Sequence, residues 1–189
     1  ILLGVKPQMM GGMLARIAPA LRQRTTPFVL LSMAAGLTMA RIREMAGGDY
    51  PVIRIMPNTA VEVGEGVTMY CCTDNVTEAQ REGFVSLLHL SGLLEEMDEK
   101  LLDVGSAVAG CGGAFACLMM EALADGGVYA GLPRATAQRY AAQMLLGTAK
   151  LALEKGEHTG AMKDAICSPG GTTIAGVRVL EQRGFRAAA

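Results

Sequence analysis

The stretch Pro27–Pro57, PFVLLSMAAGLTMARIREMAGGDYPVIRIMP, decides the fold. Its two ends, residues 27–33 and 51–57, are short, continuous apolar runs of the kind that form strands buried on both faces. Between them Ala34-Ala35-Gly36 closes the first run, and Thr38 opens a helix that reaches about Met45. Strand, helix, strand is the repeating unit of a parallel sheet. The alternation extends in both directions. Residues 1–7, Ile-Leu-Leu-Gly-Val-Lys-Pro, read as a buried strand ended by a proline. Residues 9–24 read as a helix interrupted at Gly11-Gly12 and bent around Pro19. Further on, residues 66–72 form a strand, 77–90 a helix with Thr77 or Asp74 near its start, and 93–97 a short strand. The expectation is an all-parallel, doubly wound α/β sheet with helices on both faces.

From Asp98 the pattern changes. Residues 100–131 are rich in Ala, Gly, Leu and Met with few charges, which predicts one long helix packed on all sides. A second helix spans 133–155, with Pro133 at its first turn and small residues Ala137, Ala141, Gly147 and Ala149 that permit close helix contacts. A third follows Thr172. The fold class is therefore α/β plus all-α, divided into residues 1–98 and residues 99–189.

Composition narrows the function. The 189 residues carry a formal net charge of −1. With no basic run, nucleic acid and anionic membrane are poor partners. No apolar stretch is expected to reach the length of a membrane span, and no signal segment opens the sequence. The five cysteines include no C-x-x-C pair, which points to free thiols in a reducing compartment, the cytoplasm. With only two histidines, His89 and His158, no metal site is expected.

The chemistry gathers at residues 167–176, CSPGGTTIAG, ahead of an amphipathic run in which Ile174, Val177 and Leu180 recur at helical spacing. Ser168 is read as the cap and Pro169 as the first helical residue. Gly170 and Gly171 would then present bare N–H groups at the positive end of a helix dipole, a site for a carboxylate or phosphate. The hydroxyls of Thr172 and Thr173 follow at once. An ordinary capped helix fits the same residues about as well.

Taken together, four segments resemble the pyrroline-5-carboxylate reductase family. They are Val5-Lys6-Pro7-Gln8; Arg54-Ile-Met-Pro-Asn-Thr59 with Gly64-Glu-Gly66; Glu121-Ala-Leu-Ala-Asp-Gly-Gly-Val128 with Gly131-Leu-Pro-Arg134; and Ser168-Pro-Gly-Gly-Thr-Thr173 with Gly184-Phe-Arg186. The resemblance implies a Rossmann-like dinucleotide-binding part over 1–98, a helical dimerisation and substrate-binding part over 99–189, NADP or NAD as cofactor, and a cyclic imine reduced to L-proline. It also implies a glycine-rich pyrophosphate turn that these residues do not supply. The sequence is thus expected to lack about two strand–helix units, on the order of 60 residues, ahead of Ile1. A second departure is Ala109-Gly-Cys-Gly-Gly-Ala-Phe115, where the family has Ser-Gly-Ser-Gly-Pro-Ala-Tyr.

On this resemblance Thr173 meets the ring nitrogen, and Ser168, Gly170, Gly171 and Thr172 anchor the substrate carboxylate. Glu157 matches a glutamate near the substrate pocket, or is a solvated turn carboxylate. Val5, Lys6, Pro7, Met33, Ala34 and Ala35 stand at carboxyl ends of strands, where dinucleotides bind in such sheets. Asn58 has an amide that reaches the cofactor or fixes a loop. Two other readings remain open: a non-catalytic partner subunit that keeps only the dimer surface, and an anion-binding module. The charge-poor segment 101–130 further predicts an intertwined homodimer. Light scattering at micromolar concentration should therefore show no monodisperse monomer.

Overall fold

The computed structural model describes residues 1–189 as two compact units, Ile1–Cys117 and Leu118–Ala189. The first unit holds the sheet. Its elements in order are β1 (Leu2–Leu3), α1 (Pro7–Gln23), β2 (Leu30–Ser32), α2 (Met39–Ala46), β3 (Val52–Pro57), a 3-10 turn (Thr59–Val63), β4 (Gly66–Cys72), α3 (Glu78–Leu88), β5 (Gly92–Glu96) and α4 (Glu99–Ala109). The strands lie side by side in chain order. Every expected strand is present.

The sheet is mixed, not all-parallel. β1, β2 and β3 run parallel, β4 is antiparallel to β3, and β5 is parallel to β4. The reason lies in the connections. A parallel crossover needs a dozen or more residues, usually a helix. Residues 58–65 between β3 and β4 make only the 3-10 turn, ended by Gly64 in the left-handed region (φ 75°). The chain must therefore turn back on itself.

Helices cover both faces. Leu3, Met10, Leu14, Leu21, Leu30, Ile42, Ala46 and Val52 pack α1 and α2 against one face. Ile53, Ile55, Tyr70 and Phe84 pack α3 against the other. Met56, Met69, Cys71 and Leu102 seat α4. β3 is buried along its length, as a central strand of apolar residues should be. α1 runs unbroken through Gly11-Gly12 and Pro19, so the expected interruption does not occur. Thr38 caps α2, accepting from the Arg41 N–H at 3.2 Å. Thr77 and Gln80 form a reciprocal capping box on α3.

The expected single helix over 100–131 is two, α4 and α5 (Gly112–Tyr129), with a turn at Gly110-Cys111. Glycines at 110, 112 and 113 weaken helix continuity, and the Gly110 and Cys111 N–H groups both return to the Ser106 carbonyl. Against expectation, residues 99–129 are long and apolar enough to cross a membrane by length and composition alone.

The second unit contains the rest of α5, then α6 (Arg134–Lys155), α7 (Thr159–Ile166), α8 (Thr172–Gln182) and α9 (Phe185–Ala188). α7 was not anticipated. His158 caps it, its Nδ1 accepting from the Gly160 N–H at 3.0 Å. These helices bury little by themselves: α5 buries only Ala124, and α6 only Ala137 and Ala141. Leu118, Tyr129, Tyr140, Leu146 and Leu153 stay exposed.

One close approach fixes the start of the β4–β5 pairing. Gly92 has φ 122°, and a Cβ there would fall 2.1 Å from the Gly66 carbonyl oxygen. Gly92→Ala should destabilise the first unit by more than about 2 kcal/mol, measured by urea unfolding, because backbone must move to admit the methyl.

Candidate functional site

Parallel pairing places the carboxyl ends of β1, β2 and β3 along one edge of the sheet. That edge carries Val5, Lys6 and Pro7 after β1, Met33, Ala34 and Ala35 after β2, and Asn58 after β3. Lys6 is exposed and occupies the position before α1 without a side-chain capping bond, and Pro7 is at the first helical position. Ala34 is buried and its N–H reaches Ser32 Oγ at 3.4 Å, while Met33 and Ala35 are exposed. At Gly36 the chain takes φ 73°, and an added Cβ would meet nothing within 4 Å. Small residues and the exposed Met33, Ala35 and Gly36 leave this edge accessible, while the first N–H of α2 is already taken by the Glu99 carboxylate. Val5 also lines a cavity of about 620 Å³ with Met9, Gly12, Met13, Arg16 and Ile17.

Asn58 is engaged on both sides of its amide. Its Oδ1 accepts from the Val67 N–H at 3.1 Å, and its Nδ2 donates to the Ala109 carbonyl at 3.0 Å. Both bonds tie the chain after β3 to β4 and to the end of α4.

Behind this edge lies a buried charge. Arg54, in the middle of β3, is 2% exposed. Its guanidinium pairs with Asp103 Oδ1 at 2.7 Å and Glu99 Oε1 at 3.5 Å, both on α4, and its Nε has no partner. The same Glu99 oxygen accepts the Met39 N–H, at the start of α2, at 2.7 Å. Beside Arg54 across the β3–β4 ladder is Cys71, whose thiol is pushed up from 9.0 to about 12, first by burial and then by the Glu99 carboxylate. Cys72, facing the opposite side, is pushed up to about 11 by burial and by Glu96.

The second candidate region lies within the second unit. Ser168, Pro169 and Gly170 form a turn closed by the Gly171 N–H on the Ser168 carbonyl at 3.0 Å. Proline followed by glycine at φ 70° is the type II pattern. The expected helix start is therefore displaced. Ser168 does not cap, Pro169 is not helical, and α8 begins at Thr172 with Gly171 in the cap position. One of the two expected free glycine N–H groups is spent inside the turn. The N–H groups of Thr172 and Thr173, in the first helical turn, have no intrahelical acceptor. A Cβ on Gly171 would fall 2.5 Å from Ser168 Oγ, so the serine side chain sits over the bare glycine.

Thr173 lines a cavity of about 200 Å³ with Thr148, Ala152, Thr159, Met162, Lys163 and Ile166. Lys163 is itself paired with Asp164. Glu157 follows the left-handed Gly156 that ends α6 and is exposed outside that lining. Thus Ser168–Thr173 are contiguous in one turn and helix start, and Glu157 is not drawn into the cavity. Sequence reasoning quoted Arg54 only within a family motif and passed over Glu99 and Asp103, although an arginine inside an apolar strand was the available signal. It also passed over Thr148 and Lys163, for which no pattern pointed to a cavity.

Comparison with known proteins agrees with the sequence resemblance. Residues 99–189 match the family model described as pyrroline-5-carboxylate reductase dimerisation. A pyrroline-5-carboxylate reductase from Synechocystis is 45% identical over 100% of this chain and 68% of that protein. The Escherichia coli pyrroline-5-carboxylate reductase is 40% identical over 100% of this chain and 69% of that protein. A Plasmodium falciparum pyrroline carboxylate reductase, solved with NADP bound, superposes with a TM-score of 0.91 at 32% identity, over 100% of this chain and 73% of that one.

The two β4 thiols give an alkaline signature. Their folded pKa values are raised above 9.0, so the stability they contribute is fully present below about pH 9. It is lost as pH rises toward the folded values, because the unfolded chain deprotonates first. The melting temperature should fall between about pH 9 and 11, and fall less in Cys71→Ala than in the parent.

Proposed function

The chain belongs to the pyrroline-5-carboxylate reductase family, and on that premise we propose that it serves the NADPH- or NADH-dependent reduction of the cyclic imine 1-pyrroline-5-carboxylate to L-proline. The observation that carries this reading is the turn and helix start at Ser168–Thr173. It combines unpaired N–H groups, the Ser168 hydroxyl over Gly171, and Thr173 at the wall of a cavity. A small imine bearing a carboxylate needs those features: an anion anchor and, beside it, a hydroxyl able to donate and accept.

In this reading Ser168, Gly170 and Thr172 hold the carboxylate, the bare Gly171 lets it approach, and Thr173 hydrogen-bonds the ring nitrogen as it changes from imine to amine. Glu157 belongs to the approach to the substrate. Val5–Pro7 and Met33–Ala35 form the dinucleotide edge, with Asn58 fixing the loop beside it. The bound nicotinamide supplies the hydride, and the chain supplies position and hydrogen bonds. Residues 1–98 serve as the dinucleotide part and residues 99–189 as the substrate and dimerisation part. The exposed apolar faces of α5 and α6 suit a second copy of the chain. Five free cysteines suit the cytoplasm as the compartment.

Steady-state kinetics of the full-length protein with pyrroline-5-carboxylate tests the assignment. Thr173→Val keeps shape but removes the hydroxyl where charge changes, so kcat and kcat/KM should fall together, by about two orders of magnitude. Gly171→Val crowds the Ser168 side chain and the carboxylate path, so it should mainly raise KM for the imine. Near-full kcat in Thr173→Val, with Gly171→Val affecting folding alone, would leave the segment as an ordinary helix start.

A further inference from the structure

We infer that Glu99 is a positioning residue for the dinucleotide edge. It holds the loop that carries Met33–Ala35 by accepting the first N–H of α2, while Arg54 holds Glu99. The inference rests on the reading of Met33–Ala35 as cofactor contacts.

Three observations converge. The loop 33–38 leaves the end of β2 and enters α2 at Met39, whose N–H, like any at a helix start, has no intrahelical acceptor. Thr38 satisfies the Arg41 N–H but not this one. The acceptor comes from 60 residues away, as the Glu99 carboxylate oxygen at 2.7 Å. A bond that short to a carboxylate is charge-assisted, and negative charge at a helix N-terminus is favourable.

The carboxylate is held in turn. Glu99 Oε1 lies 3.5 Å from Arg54 Nη1, and Asp103 takes the other end of the guanidinium at 2.7 Å. A guanidinium that is 2% exposed on a central strand has no freedom to follow a moving partner. β3, α4 and the start of α2 are therefore joined through one oxygen atom. Glu99 is also the first residue of the segment that matches the dimerisation family model. The start of that segment is thereby fixed to the loop proposed to hold the dinucleotide.

The test is NADPH affinity, read by fluorescence titration of the full-length protein, with melting temperature alongside. Met39→Pro and Met39→Ala both shorten the side chain, but only proline removes the N–H. Proline suits the first helical position, and Thr38 before it is already extended (φ −73°, ψ 158°). Met39→Pro should raise the NADPH Kd about tenfold over Met39→Ala, the effect of losing one charge-assisted bond. At saturating NADPH, kcat should stay within about twofold of the Met39→Ala value. Glu99→Gln, which keeps an acceptor oxygen, should retain affinity better than Glu99→Ala. Equal Kd values in the two Met39 variants would overturn the inference and leave Glu99 a stabilising residue only. Ala35→Phe, placed in the loop itself, separates that outcome from a failure of its premise. Weak NADPH binding in Ala35→Phe with equal Met39 variants rejects the positioning role alone, whereas unchanged binding in all three rejects the cofactor edge as well.

Discussion

A single buried guanidinium organises the first unit. Arg54 lies in a strand buried from Val52 to Met56 and cannot be left unpaired there, since an isolated buried charge costs several kcal/mol. Two acidic residues one helical turn apart, Glu99 and Asp103, meet it from α4. That requirement sets where α4 lies on the sheet before any apolar contact is counted. Leu102, between the two carboxylates in sequence, is then fully buried against Met56, Met69 and Cys71. At its far end α4 is held again, by the Asn58 amide on the Ala109 carbonyl. The helix that begins the dimerisation segment is thus pinned at both ends by polar groups of the sheet.

Much of this was legible in the sequence, and the misses share a cause. Apolar runs, Thr38 and Thr77 are local signals, and they located strands and helix starts well. Strand direction is not local. The apolar run of β4 looks like those of β2 and β3, and only the brevity of residues 58–65 betrays the reversal. The division of the long apolar segment into α4 and α5 was written in Gly110, Gly112 and Gly113, but the run of helix-forming residues on either side outweighed them. At residues 168–171 a proline can open a helix or shape a turn. Gly170 one step later, at positive φ, is what decides for the turn.

The site was legible to different depths. Val5–Pro7, Met33–Ala35 and Asn58 fall on one edge because three parallel strands put them there, which alternation alone anticipated. Ser168–Thr173 are contiguous, so their proximity needed no fold. The Arg54–Glu99–Met39 connection spans separations of 45 and 60 residues and three elements. No spacing rule reaches that far. The only hint was a charge where the strand pattern called for an aliphatic residue.

The crowding at Gly92 bears on how related sequences should be compared. The obstacle to a side chain there is the Gly66 carbonyl and amide, which every residue at position 66 would carry. No compensating change at that neighbour opens room, so the position has one permitted residue and no paired route away from it. Sequence drift would leave it fixed while freely altering the strands around it. A glycine that never varies would then report two backbones in contact, and its constancy alone would be no sign of a ligand.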